Sequence, residues 1–331
     1  MTVHEGTLAI PIEVNFTSLP PSVTEKVRLY RRPVGAIYRY VDGLLRIIAP
    51  RAGEVHVLEG YPGVGKSTLS RAVVERMRGE GVQSEVLNIS QARNLLVLLN
   101  GLISRKFGKE VGRIDDAFKL LGSEMDLLLI DDAHVRASEF RRTALRWASI
   151  AARQGASVLL VTCAGILAEG SRIFFQYSLE EFNEILKDYG RVSEELVELT
   201  YPSLGWAIGA MERAERKGGT ALDHARAMAL EKLRECDEKD LTILFLAKKL
   251  ISITRLPLLK KVLYEAYREL PDAIPRTSFF DRFLRLVARG VIWVSARANL
   301  RTIDRIPGEE HIEEVFRSKY PEAYARVYRA R

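Results

Sequence analysis

The sequence predicts an α/β protein: a parallel-sheet core roofed by a helical lid, then a small α+β module. Three observations predict it. Up to about residue 178, short apolar runs alternate with helical periods, the pattern of strand-helix-strand units. One run breaks into the glycine-rich stretch Gly60-Tyr61-Pro62-Gly63-Val64-Gly65-Lys66-Ser67 and restarts as a helix. From residue 179 only helical periods follow, until two short strand-like runs return within residues 291–303.

The glycine-rich stretch reads G-x-x-x-x-G-K-S, the phosphate-cradling P-loop. Glycines let the backbone turn sharply and bring its N–H groups against phosphate oxygens. The following helix, expected over residues 67–78, presents its unsatisfied amino-terminal N–H groups and positive dipole end to the same anion. Gly60, Gly63, Val64, Gly65, Lys66, Ser67 and Thr68 are therefore the nucleotide-binding candidates. Lys66 is of a length to reach the β and γ phosphates, and Ser67 is the expected protein ligand for Mg²⁺. Flanking context supports the motif: Val55, Val57 and Leu58 read as a buried strand, and Leu69, Ala72, Val73 and Arg76 have helical spacing.

Before the loop, residues 1–24 hold Pro11, Pro20 and Pro21 without a helical period and are expected as an arm. Residues 27–48 approach helical spacing. Beyond the loop helix, residues 85–89 form a second expected strand, and residues 91–104 and 114–121 are expected helices. Asp115 and Asp116 fit a first helical turn, where acids favour the dipole.

Residues 126–134, DLLLIDDAH, carry the second chemical signal. Four apolar residues, the pattern of a fully buried strand, end in adjacent carboxylates, the Walker B arrangement. Asp131 then holds Mg²⁺ through its water shell, and Asp132 orients the attacking water. A helix is expected over 138–153 and another buried strand over 156–162. Thr162 at its end is a candidate to sense the γ-phosphate; a threonine that merely closes a strand is the alternative. A further strand is expected over 171–177.

The last third contains its own pattern. Residues 240–305 hold 13 Lys and Arg against 6 Asp and Glu, matching the formal excess of +7 of the whole 331-residue chain. Helices are expected over 241–253, 256–270 and 275–289, then a hairpin with strands 291–294 and 300–303. That is the outline of a winged helix-turn-helix. On its third helix Phe279, Phe280, Phe283, Leu286 and Val287 are expected in the core. Arg282, Arg285 and Arg289 fall on one expected outer stripe. Arg276, Thr277 and Ser278 crown the end that docks nearest base edges, and Arg297 and Arg301 lie in or beside the wing. DNA is the expected partner; a solvated charged face, or a protein-binding winged helix, is the alternative.

Composition narrows the class. Two cysteines far apart, Cys163 and Cys236, give no disulfide framework, and five scattered histidines give no zinc spacing. The amino terminus lacks an export signal, and the longest apolar stretch, residues 156–167, is too short to span a bilayer, so a cytoplasmic setting without membrane contact is expected.

These pieces in this order resemble the AAA+ superfamily of P-loop ATPases, and within it the archaeal-type ATPases of the STAND and initiator neighbourhood that join such a core to a winged helix. The resemblance spans residues 25–305, with the Walker motifs as its specific part. It implies a core at residues 25–178, a lid at 179–237, a winged helix at 238–306 and a charged tail at 307–331. It also implies that Arg172, in Ser171-Arg172, is an arginine finger acting on a neighbouring subunit's ATP, hence a homo-oligomer; a surface arginine at a strand start is the alternative. Two departures stand out. Asp132 is shorter than the glutamate of many ATPases, which points to slow hydrolysis. The lid stretch Ser203-Leu204-Gly205-Trp206-Ala207 has no arginine where initiator-type ATPases place a phosphate sensor, and Arg213 lies two turns on. The expected function is an ATP-dependent switch associated with DNA, with ATP and Mg²⁺ as cofactors. The alternatives are a STAND-like signalling ATPase whose winged helix meets a protein partner, and an initiator or transposition-type loader.

Overall fold

Two central strands are buried along their whole length, and the core follows from them. The structure, a computed structural model, describes residues 35–89, 94–131, 137–163, 171–254, 258–297 and 300–329. β1 (Val55–Gly60), β2 (Ser84–Asn88), β3 (Leu127–Asp131), β4 (Ser157–Cys163) and β5 (Ser171–Phe174) form one parallel sheet in the order β2-β3-β4-β1-β5. Every residue of β3 and β4 is buried, as strands covered on both faces require. Leu127 and Leu129 alternate to one face and Leu128 and Ile130 to the other.

The first face is covered by α1 (Gly35–Ile47), α2 (Lys66–Gly79) and the lid. On the second lie α3 (Leu95–Phe107), α4 (Ile114–Glu124) and α5 (Ala137–Arg153), where Phe118 stacks on Trp147 with centroids 5.4 Å apart. Asp115 and Asp116 sit in the first turn of α4, as their sequence position suggested.

Four helices make the lid: α6 (Leu179–Lys187), α7 (Glu194–Thr200), α8 (Leu204–Lys217) and α9 (Ala221–Arg234). Their starts are chemically explicit, since Ser178, Ser193, Ser203 and Thr220 each accept a first-turn N–H. Phe182, Leu186 and Leu204 seat the lid on the sheet's first face.

The carboxyl-terminal unit consists of α10 (Glu238–Thr254), β6 (Leu258–Leu259), α11 (Lys260–Arg268), α12 (Arg276–Ala288), β7 (Trp293–Arg297), β8 (Leu300–Arg305), α13 (Ile312–Lys319) and α14 (Pro321–Arg329). Its helices and hairpin follow the order expected from the sequence, with one addition: β6 pairs antiparallel with β8, giving a three-stranded sheet in the order β6-β8-β7. Two residues are too few to leave a periodic signal, so the sequence assigns them to the following helix. The charged tail also resolves differently. Ile312, Phe316, Ala323 and Val327 join the core of the carboxyl-terminal unit, so residues 312–329 are two packed helices of that unit.

One expectation about α12 is corrected. Arg282 does not stand on an outer stripe: it donates to Asp237 at 2.5 Å and Asp240 at 3.0 Å. Arg289 likewise reaches Glu235 at 3.0 Å. Helical periodicity fixes which residues share a stripe but not what the stripe meets, and here it meets carboxylates at the junction of α9 and α10. Arg276, Thr277, Ser278 and Arg285 are exposed.

Candidate functional site

The glycine loop joins the end of β1 to the start of α2, on the sheet face that also carries the lid. Gly65 is the N-cap of α2 at φ 98°, a left-handed conformation that favours glycine, and it supplies no side-chain acceptor to the helix's first turn. Gly63, at φ 75°, carries the lid contact: its carbonyl accepts from Gly205 N at 2.8 Å, and a Cβ there would meet Ser203 Oγ at 2.4 Å. Val64 is wholly buried beneath the loop, and Thr68 is exposed at its helical side. Lys66 is buried and donates to the carbonyls of Gly60 at 3.1 Å and Tyr61 at 2.7 Å, so its ammonium lies inside the loop it serves.

Asp131 continues the alternation of Leu127 and Leu129 and therefore faces α2. Its carboxylate is fully buried. One oxygen accepts from Ser67 Oγ at 2.8 Å and the other from Arg71 at 3.2 Å. The two expected Mg²⁺ ligands thus meet, although 64 positions separate them in the chain. A hydroxyl and a carboxylate are hard oxygen donors and fit Mg²⁺, which keeps several waters and takes its remaining ligands from phosphate. Among the described residues no cluster of three or more His, Cys, Asp or Glu is placed to hold a metal.

Arg71 was missed in the sequence, yet its signal was there: it lies one turn after Ser67, on the same face of α2. Glu59, immediately before the loop, was also missed. It is 2% exposed and stands opposite Thr162 in the pairing of β1 with β4. Thr162 is fully buried, and its hydroxyl has no hydrogen-bond partner among the described residues. Asp132 lies outside the described residues. Arg172 lies on the edge strand β5, level with Val57 of β1.

The P-loop is also held from outside by the carboxyl-terminal unit. Tyr61 Oη donates to Asp304 of β8 at 2.6 Å, and its ring lies 5.9 Å from Trp293 of β7 and 5.6 Å from Phe174. Gly290 approaches Pro62 so closely that a Cβ would come within 3.2 Å of it. Trp206 of the lid meets Trp293 edge-on at 5.9 Å and donates its indole N–H to Ala225 O at 3.0 Å. Arg213, considered as a sensor, is engaged by Glu231 at 2.9 Å.

Residues 56–189 match the family model of the ATPase family associated with various cellular activities (AAA). No curated protein matches the chain. Among solved structures the chain is similar to the ORC2 protein of Aeropyrum pernix in ADPNP and ADP complexes, at 18% identity and TM-score 0.42 over 89% of this chain and 92% of that one. It is similar to Cdc6p from Pyrobaculum aerophilum at 18% identity and TM-score 0.40, over 91% and 99% of the two chains. A STAND protein with a tetratricopeptide repeat sensor from Pyrococcus horikoshii aligns at 14% identity and TM-score 0.37, over 88% of this chain and 47% of that one.

Proposed function

We propose, for a chain whose residues 56–189 match the AAA ATPase family model, that it is a Mg²⁺-dependent, slowly hydrolysing ATP switch that associates with double-stranded DNA through its winged helix. The observation that carries the catalytic part is the Ser67–Asp131 contact of 2.8 Å beside the glycine loop. In this reading the loop amides and the start of α2 bind the phosphates, and Lys66 leaves the carbonyls of Gly60 and Tyr61 for the β and γ phosphates. Mg²⁺, when bound through Ser67 and Asp131, supplies positive charge at the phosphates. Asp132 orients a water for in-line attack. The water oxygen bonds to the γ-phosphorus, the bond to the β–γ bridging oxygen breaks, and ADP and inorganic phosphate leave. Thr162 holds the γ-phosphate or its water, and Arg172 completes the site of a neighbouring subunit.

Phosphate-release assays test these roles separately. Asp132→Asn is expected to spare ATP binding and stop turnover, and turnover at the wild-type rate removes Asp132 as the orienting group. Mixing Arg172→Ala with Lys66→Ala subunits is expected to restore activity in mixed assemblies; additive, unrestored rates remove the trans role.

The DNA surface proposed is the exposed start of α12, Arg276, Thr277, Ser278 and Arg285, together with Arg297 and Arg301 of the β7–β8 hairpin. With four arginines on phosphates, log K should fall against log salt with a slope of about −3.6, taking about −0.9 per contact. A flat salt response in a filter-binding titration contradicts it. One observation favours a second reading, a STAND-like signalling ATPase with a protein output: the winged helix is docked on its own P-loop through Tyr61, Trp293 and Asp304. Nucleotide retained through purification, with no gel shift on DNA with or without ATP, would select that reading.

A further inference from the structure

Beside the P-loop stands a tyrosine that the ATPase mechanism does not use. Tyr177, just beyond β5, is 1% exposed, and its hydroxyl is buried with no hydrogen-bond partner among the described residues. Burying a phenol oxygen in that state costs free energy that a phenylalanine would not incur. The ring is firmly held. Tyr40 of α1 packs edge-on at 5.7 Å and Phe175 at 5.0 Å, while the backbone carbonyl of Tyr177 accepts from Tyr201 Oη at 3.0 Å. Tyr40 is fixed in turn by its 2.7 Å hydrogen bond to Glu181 of α6.

The hydroxyl lies beside the glycine loop. A Cβ built on Gly65 would lie 3.8 Å from Tyr177 Oη and 3.9 Å from its ring. Gly65 is the N-cap of α2, where the loop amides turn toward the α and β phosphates. Burial, then the nearby Tyr40 and the Glu181 charge, push the phenol far above its ordinary value, so it remains a donor.

We propose that Tyr177 is a nucleotide-binding residue whose Oη donates a hydrogen bond to a phosphate oxygen common to ADP and ATP, on the α/β side of the cradle. The unpartnered hydroxyl is then satisfied on ligand arrival. This inference rests on the ATP-binding reading and adds a residue to it that lies outside the Walker motifs. Because the contact is to phosphates present in both nucleotides, it contributes to holding the nucleotide and not to telling ATP from ADP.

The test is Tyr177→Phe, which keeps the ring and its packing. Calorimetric titration with ADP and with ATP is run on wild type and variant, beside thermal unfolding of the nucleotide-free proteins. The expected result is an unchanged or higher nucleotide-free Tm, and affinity for both nucleotides reduced by the same factor of about tenfold or more, the size of a lost hydrogen bond to a charged group. Unchanged affinity, or a fall in the nucleotide-free Tm, overturns the assignment, the latter because it gives the hydroxyl a partner within the protein. If wild type binds neither nucleotide, the ATP-binding reading fails first. If wild type binds and Tyr177→Phe binds equally, only the role of Tyr177 fails.

Discussion

Replacing Tyr61 by phenylalanine and by alanine separates the two ways in which the carboxyl-terminal unit grips the P-loop. Tyr61 is 8% exposed, and its hydroxyl donates to Asp304 at 2.6 Å, while its ring meets Phe174 and Trp293. Tyr61→Phe removes only the hydrogen bond. Because Asp304 is exposed, the loss is set near that of an ordinary hydrogen bond, about 1 kcal/mol, or a Tm lower by about 2–4 °C. Tyr61→Ala removes the ring as well and opens a cavity between loop, edge strand and wing, for which about 3–5 kcal/mol is expected. Urea unfolding of the two variants beside wild type measures the difference. Docking is also linked to nucleotide binding by reciprocity, since both act on the conformation of one loop. Tyr61→Ala is therefore expected to change ADP affinity as well as stability. If the alanine variant costs no more than the phenylalanine variant, the ring does not hold the wing to the loop, and the docked arrangement is wrong.

Other outcomes follow from single contacts. Ser67→Ala and Asp131→Asn each remove one half of the 2.8 Å pair, and both are expected to abolish the Mg²⁺ dependence of nucleotide affinity in titrations with and without chelator. Persistence of that dependence in both variants would move the metal elsewhere. Gly290→Ala places a Cβ at φ 68° and 3.2 Å from Pro62, so about 1–2 kcal/mol of destabilisation is expected from the left-handed backbone alone. At Asp237, burial opposes ionisation, but hydrogen bonds from Arg282 and the Asp240 amide outweigh it and hold the carboxyl below its ordinary value. The hydrogen bond from Lys239 does the same for Asp272. Groups depressed in the folded state contribute stability above their unfolded value, near pH 4, and lose it as pH falls through the lower folded one. Tm should drop on acidification below about pH 4, and Asp237→Asn should blunt that drop.

Legibility in the sequence depended on how local each signal was. The P-loop is legible because strand, glycines, lysine and helix are contiguous, and the Asp131 strand because four apolar residues precede its carboxylate. Their meeting at Ser67 was legible through chemistry alone, since no local period links positions 64 residues apart. The match of residues 56–189 to the AAA ATPase family model agrees with the resemblance drawn from those motifs. What escaped was set by tertiary contact. Arg282 and Arg289 share the period of a DNA-facing stripe, yet the carboxylates of Glu235, Asp237 and Asp240 stand against it. Tyr61 and Tyr177 read as ordinary aromatic residues until the fold brings Asp304 of β8 beside the one and Gly65 of the glycine loop beside the other. The strand Leu258–Leu259 exists only because Ile303 and Thr302 pair with it. Asp132 lies outside the described residues, so its role rests on its position after Asp131.

The most direct test is a calorimetric titration of Mg-ATP into the wild-type protein and into Lys66→Ala. Saturable heat with one nucleotide per chain in the wild type, absent or weakened by at least about a hundredfold in Lys66→Ala, is the expected result. No heat in the wild type, or equal heat in the two proteins, would contradict a triphosphate seated on the Gly60–Ser67 loop.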